Sequence, residues 1–270
     1  MLSLVLVHKN QYIGTMSTQK SKKLNQFLSE HKSGTVCLSS WLEQLGISRD
    51  LQKRYRRSGW LETVGPGAFK RPSDELHWQG ALYTLQAQAV LPIHAGAITA
   101  LTMQGLAHYL RTGAEEVFLF LPASVNLPRW FKQVDLNVSI RSIRTSLLPP
   151  GIGLVGYESK TFNIWISTPE RAILECLFLA PDDMDLVECY HVMEGMVNLR
   201  PKLLQELLED CTSIKVKRLF LYLAKKAGHQ WLQFLDVGQL DLGKGKRSLV
   251  KGGVFDAEFQ ITIPRELAEL

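Results

Sequence analysis

The sequence contains no CxxC pair: Cys37, Cys176, Cys189 and Cys211 stand far apart, and its seven histidines are scattered. Zinc ribbons and disulfide frameworks are therefore unsupported, and buried reduced thiols are the expectation. No apolar run is long enough to span a bilayer, and Leu2 to Val7 is too short for a secretory signal core and lacks a cleavage pattern. A cytoplasmic protein with no membrane partner is expected. There is no GxxxxGK[ST] phosphate loop, no Ser/His/Asp set or Cys/His pair on recognisable turns, no internal repeat and no low-complexity segment. What remains is ordinary globular composition, 46% hydrophobic and 21% charged over 270 residues, with room for about two domains.

The charge is unevenly spread. Residues 16–72 hold 11 Lys/Arg against 4 Asp/Glu, a net of +7, whereas residues 73–270 hold 19 against 22, a net of −3. Basicity confined to one module is the footprint of a polyanion-binding surface. Its focus is residues 48–60, Ser-Arg-Asp-Leu-Gln-Lys-Arg-Tyr-Arg-Arg-Ser-Gly-Trp. At about 100° per residue with Arg49 at zero, Leu51 and Tyr55 fall near 200° and 240°, while Arg49, Lys53, Arg56 and Arg57 fall between about −20° and 80°. The apolar pair faces a core and the cations face away from it. Ser48 suits the N-cap, Asp50 the first turn, and Gly59 the stop.

Upstream, Lys22 to Glu30 carries Leu24, Phe27 and Leu28 on one stripe, and Ser39-Ser40 caps a short segment that ends at Gly46, leaving Gly46-Ile47-Ser48 as the turn between two helices. Downstream, Trp60 to Val64 and Ala68 to Pro72 flank Gly65-Pro66-Gly67, which reads as a β-hairpin or wing. The expected fold class is α+β: an N-terminal winged helix-turn-helix at 18–72, then a larger mixed α/β domain at 73–270. Met16 begins a natural polar start to the first helix, so residues 1–17 are read as a disordered or misassigned extension. In the larger domain, helices are expected at Leu76 to Leu91, Gly96 to Arg111, from Pro169 after the Thr168 cap, Leu186 to Glu194, Pro201 to Asp210 and Ile214 to Ala227. A short piece is expected from Gln230. Strands are expected at Val117 to Leu121, Leu136 to Ile143, Ile152 to Tyr157, Phe162 to Ser167 and around Gly243 to Ile263.

With the basic helix in a major groove, the DNA-binding set is Ser48, Arg49, Gln52, Lys53, Arg56, Arg57, Lys70 and Arg71. Arg49, Gln52, Lys53 and Arg56 reach base edges. Arg57, Lys70 and Arg71 grip phosphates and fix register. Elsewhere, Lys244, Lys246, Arg247 and Lys251, interleaved with glycines, make a mobile basic loop that is a candidate partner-binding site for phosphate, RNA or an acidic partner, and equally an exposed hairpin. Lys215, Lys217 and Arg218 read as the solvated face of a helix. Glu170 is assigned to a helix dipole and Arg171 to an internal salt bridge. Two other functions are carried as alternatives. Asp135, Glu158 and Lys160 on neighbouring strands echo the set with which nucleases hold Mg²⁺, and a solitary repressor with a ligand pocket in the second domain is also compatible.

Several separated motifs occur in a set order. They are Ser58-Gly59-Trp60-Leu61 with Gly65-Pro66-Gly67-Ala68-Phe69; His94-Ala95-Gly96-Ala97; Ser167-Thr168-Pro169-Glu170-Arg171-Ala172-Ile173-Leu174-Glu175; Lys217-Arg218-Leu219-Phe220-Leu221; and Leu242-Gly243-Lys244-Gly245-Lys246-Arg247 with Lys251-Gly252-Gly253. In this order, over residues 18–265, the chain resembles the AbiEi family, the antitoxins of type IV toxin–antitoxin systems met in phage abortive infection. The resemblance implies a winged helix that represses the antitoxin–toxin operon at inverted repeats of double-stranded operator DNA. It also implies a C-terminal domain that opposes a nucleotidyltransferase-like toxin, without stable direct contact if the type IV name holds. No enzyme activity, metal or cofactor is implied.

Overall fold

A computed structural model describes residues 22–107, 116–159 and 161–270. The proposed extension at 1–17 lies outside the described residues, as do Lys160 and the end of the helix expected to reach Arg111. The chain divides into two compact units. Among the described residues, the first comprises 22–91, 126–137, 158–159 and 161–163, and the second 92–107, 116–125, 138–157 and 164–270.

In the first unit, helix α1 (22–30) precedes strand β1 (Cys37–Leu38), helix α2 (Ser39–Gln44), helix α3 (Arg49–Arg57) and the antiparallel hairpin of β2 (Glu62–Gly65) and β3 (Ala68–Lys70). Strand β1 pairs with β3, which gives the sheet order β1-β3-β2. This is a helix-turn-helix with a wing. Its core is Phe27, Cys37, Leu42, Ile47, Tyr55, Leu61 and Phe69, with Leu24, Leu28 and Leu51 packed against it. The stripe of the first helix and the apolar pair of the basic helix thus point inward. Ser39 does not cap α2. It is the first helical residue, its amide donates to the Gly67 carbonyl at 2.8 Å, and its hydroxyl is turned to α3.

The unit continues past residue 72. Helix α4 (Trp78–Tyr83) runs into a π-helical turn, Thr84–Gln88, so the single helix expected from Leu76 to Leu91 changes pitch partway. The wider turn has a function in the sheet. The Val36 amide donates to the Thr84 hydroxyl at 3.0 Å, the Gln88 amide donates to the Val36 carbonyl at 2.8 Å, and the Leu38 amide donates to Gln88 Oε1 at 2.9 Å. Two side chains thereby occupy backbone groups along the outer edge of β1. A short helix, Arg129–Gln133, packs against β2, where a Cβ on Gly65 would stand 2.9 Å from that of Trp130.

A polar cluster lies beneath the sheet. His31 Nε2 is 2.7 Å from Asp74 Oδ2, Ser33 donates to Asp74 Oδ1 at 2.9 Å, and Cys37 Sγ lies 3.2 Å from His31 Nδ1. Burial disfavours the imidazolium and outweighs the pull of Asp74, so the ring's pKa is lowered from its ordinary 6.5. A neutral ring that donates from Nε2 and accepts the thiol proton at Nδ1 satisfies these contacts. The folded unit therefore refuses a proton that the unfolded chain accepts. The associated stability is complete above about pH 6.5 and declines as the pH falls through that value. An NMR titration is expected to place the His31 midpoint below 6.5, with the denaturation midpoint falling as the pH drops through that value. A midpoint at or above 6.5 would contradict this account.

The second unit is built on the five-stranded sheet β6-β5-β4-β8-β7. Its elements in chain order are β4 (His94–Ala95), α5 (Ala97–Met103) and β5 (Glu116–Leu121). After the first unit's helix at 129–133, here α6, come β6 (Ser139–Arg144), β7 (Leu154–Ser159) and β8 (Phe162–Ser167). Strand β4 pairs antiparallel with β5 and parallel with β8, and β5 pairs parallel with β6. Helices α7 (Pro169–Leu179), α8 (Leu186–Glu194), α9 (Pro201–Asp210) and α10 (Ile214–Lys226) follow. Helix α7 is buried on nearly all sides and contacts α5, α8, α9 and α10, which places it at the centre of the unit. A small sheet, β10-β11-β9, closes the chain, with β9 (Arg247–Ser248), β10 (Val254–Asp256) and β11 (Ile261–Ile263) before helix α11 (Arg265–Glu269).

Candidate nucleic-acid interface

Helix α3 is fixed at both ends by its own sequence. The Ser48 hydroxyl accepts from the Leu51 amide at 3.4 Å, Asp50 lies in the first turn, and Arg54, Arg56 and Arg57 lie in the last, where cations suit the carbonyl end of the dipole. Gly59, at φ +74, lets the chain leave the helix. Arg49, Lys53, Arg54, Arg56 and Arg57 are exposed. The Arg56 guanidinium also lies 5.4 Å over the Phe69 ring, which ties α3 to the hairpin through a cation–π contact.

Gln52 is a correction. It is 3% exposed, its Nε2 donates to the carbonyls of Ser39 at 3.1 Å and Ile47 at 2.9 Å, and its Oε1 accepts from the Ser39 hydroxyl at 2.7 Å. It joins α2 to α3 and cannot read a base from there. Lys70 is drawn inward, 3.4 Å from Glu62 across the hairpin and 3.3 Å from the Asp74 carbonyl, and Arg71 is half-buried. The sequence reading also missed three exposed cations. Arg54 falls off the stripe on α3, and Arg129 and Lys132 ride on α6. Cations flanking the Trp130-Phe131 pair were the signal for α6, although five residues carry little periodicity.

The motifs of the second unit converge on a carboxylate. Glu175 on α7 accepts from His94 Nε2 at 2.9 Å, the Ala97 amide at 2.9 Å, the Ser167 hydroxyl at 2.7 Å and Arg171 Nε at 2.8 Å. Gly96 is required beside it, because a Cβ there would lie 2.3 Å from Glu175 Oε2. Burial alone would raise the Glu175 carboxyl, but the His94 ring, the Arg171 guanidinium and the Ser167 hydroxyl outweigh it and hold it down to about 2. Arg171 also donates to the carbonyls of Pro149 and Ile152. Glu170, near the start of α7, is gripped by Arg200 through its amide, Nε and Nη2 at 2.9 to 3.0 Å. Burial tends to raise the Glu170 carboxyl, and these bonds lower it overall.

The cations at the start of α10 are likewise structural, not a solvated face. Lys215 donates to the carbonyls of Phe178 and Ala180, and so closes the end of α7; Lys217, buried, donates at 3.4 Å to the backbone carbonyl of Glu209 at the end of α9. Buried Arg218 donates to the carbonyls of Leu242, Gly243, Gly245 and Gln260. The Gly-rich loop is thus wrapped around a guanidinium. Lys244, Lys246, Arg247 and Lys251 project from it exposed, with Lys246 4.8 Å over the Phe255 ring.

Asp135 and Glu158 are not on neighbouring strands. Asp135 precedes β6 and accepts from the Asn137 amide at 3.0 Å, Glu158 lies on β7, and β6 and β7 are opposite edges of the sheet. Among the described residues, no group of three His, Cys, Asp or Glu side chains is placed to hold a metal ion, and no helix is long and apolar enough to cross a membrane.

A helix-turn-helix unit with an exposed basic helix, joined to a larger α/β unit, has the organisation of a two-part transcriptional regulator. Residues 20–112 match the description "Transcriptional regulator, AbiEi antitoxin N-terminal domain", and residues 114–264 match "Transcriptional regulator, AbiEi antitoxin, Type IV TA system". The chain belongs to the AbiEi family of antitoxins and transcriptional regulators of type IV toxin–antitoxin systems. Its fold is shared with the crystal structure of the RV2827C protein from Mycobacterium tuberculosis, at 15% identity and a TM-score of 0.56 over 90% of each chain. No curated protein sequence matches the chain significantly.

Proposed function

We propose that this AbiEi protein binds double-stranded operator DNA through α3 and represses its own operon at inverted repeats, while the second unit opposes a nucleotidyltransferase-like toxin. The DNA reading rests on the two sides of α3. Gln52 and Tyr55 are held in the core, while Arg49, Lys53, Arg56 and Arg57 are exposed. With α3 in the major groove, Ser48 sits at the base-facing end, Arg49, Lys53 and Arg56 reach base edges, and Arg57 and Arg71 meet phosphates. Lys70 acts there only by loosening its hold on Glu62. In this reading the contacting module is 18–72, and 73–270 forms the antitoxin domain, whose first stretch, 73–91, braces the module. Lys244, Lys246, Arg247 and Lys251 are assigned to partner contact. The protein works by binding, in the cytoplasm, without catalysis.

Arg57→Ala is expected to weaken binding to every duplex by a similar factor and to reduce the slope of log K against log salt by about one. Arg49→Ala is expected to relax sequence choice instead. Unchanged slopes and affinities in both variants would defeat the assignment. The toxin half is tested by co-expression with a neighbouring nucleotidyltransferase-like reading frame, where recovery of growth is expected and continued arrest would remove it.

A further inference from the structure

The geometry points to Glu43 as a positioning residue that holds Arg49 for recognition of guanine in the major groove; the inference rests on the reading of α3 as the groove helix. Arg49 is the first residue of α3, and N-terminal residues of a recognition helix are those that meet base edges. Its side chain is 82% exposed, yet its Nε donates to Glu43 Oε1 at 2.8 Å. Glu43 lies on α2, across the turn at Gly46 and Ile47, so the contact links the two helices of the helix-turn-helix.

The choice of nitrogen matters. A guanidinium engaged at Nε keeps both Nη groups free, and these form the planar pair that matches guanine O6 and N7. An arginine held in one orientation has less rotamer freedom to lose on contact. As a stabiliser of the fold, so exposed a pair contributes little. On a surface meant for phosphates a carboxylate is unfavourable, since it repels the backbone of every sequence alike. Glu43 thus lowers affinity for arbitrary DNA while fixing the reader of one base, and that combination raises discrimination.

The test uses full-length wild type, Glu43→Ala, Arg49→Ala and the double variant. The probes are duplexes that the wild type selects from a randomised pool, and the same duplexes with each G·C pair changed in turn to A·T. Wild type is expected to lose about tenfold in affinity at one guanine per half-site, and Arg49→Ala to lose that preference. Glu43→Ala is expected to bind the unselected pool at least as tightly as wild type, with preference at that guanine reduced about fivefold, and the double variant to match Arg49→Ala. An unchanged melting temperature in Glu43→Ala assigns the effect to Arg49. If Arg49→Ala loses the preference and Glu43→Ala keeps it, the positioning role is wrong and the groove reading stands. If wild type selects no sequence, or Arg49→Ala selects as wild type does, the groove reading fails and takes this inference with it.

Discussion

Glu175→Ala should unfold the second unit, or leave it barely folded, while the first unit keeps its structure. Four donors converge on this carboxylate from β4, the start of α5, β8 and α7. Its removal strands the His94 ring, the Ser167 hydroxyl, the Ala97 amide and one edge of the Arg171 guanidinium in a dry interior. Breaking a buried charge network by deleting one partner costs about 3–5 kcal/mol, against a total stability of about 5–15 kcal/mol for a domain. Glu175→Gln keeps the volume but turns an amide N–H₂ toward groups that already donate, so it relieves little of the loss. Amide exchange is the discriminating measurement. Protection across 94–103 and 164–179 should collapse, with 36–69 unchanged, and wild-type protection in the variant would show that the network is incidental. The carboxyl, held at about 2, lies below its ordinary value of 4.5. Its contribution is therefore complete above that pH and is lost as acid is added toward about pH 2, so in the wild-type protein the second unit should lose stability across that window.

Gly80→Ala in α4 should destabilise the first unit by about 3 kcal/mol, the upper part of the usual range for overpacking. A helix-interior glycine replaced by alanine ordinarily gains about 1 kcal/mol. Here a Cβ would stand 1.8 Å from the Gly34 carbonyl oxygen and 2.9 Å from its carbon. Both are backbone atoms, so no flexible side chain can swing away and the whole helix has to back off. In doing so it withdraws Thr84 and Gln88 from Val36 and Leu38. A denaturant midpoint at or above wild type would mean that α4 has room that the geometry does not show.

The sequence was most informative where signals are local. The Ser48 cap, the Gly59 stop and the phase of Tyr55 place α3 as observed, and Phe162–Ser167, Leu186–Glu194 and Pro201–Asp210 fall where their caps and composition put them. Strands of two residues, such as β1 and β4, have no periodicity to read. The errors concern polar side chains whose partners come from distant segments. Gln52 looked like a base reader because glutamine on a basic helix is usually exposed, but Ser39 and the turn carbonyl of Ile47 claim it. Lys217 and Arg218 looked solvated because nothing nearby in sequence shows that the end of α9 and the 242–245 loop fold against them. Asp135 and Glu158 seemed adjacent because strand order across a sheet is a long-range property.

Strand β1 lies at one end of its sheet, and an open strand end is where a second chain can add, exchange segments or begin a fibril. On that flank the amides of Val36 and Leu38 and the carbonyl of Val36 are already occupied by Thr84 and Gln88. On the proposed reading, copies gathered side by side at inverted repeats would bring such flanks to high local concentration. The helix carrying these two side chains would have to peel away before two neighbouring copies could knit their strands together, so crowding on DNA need not become irreversible association.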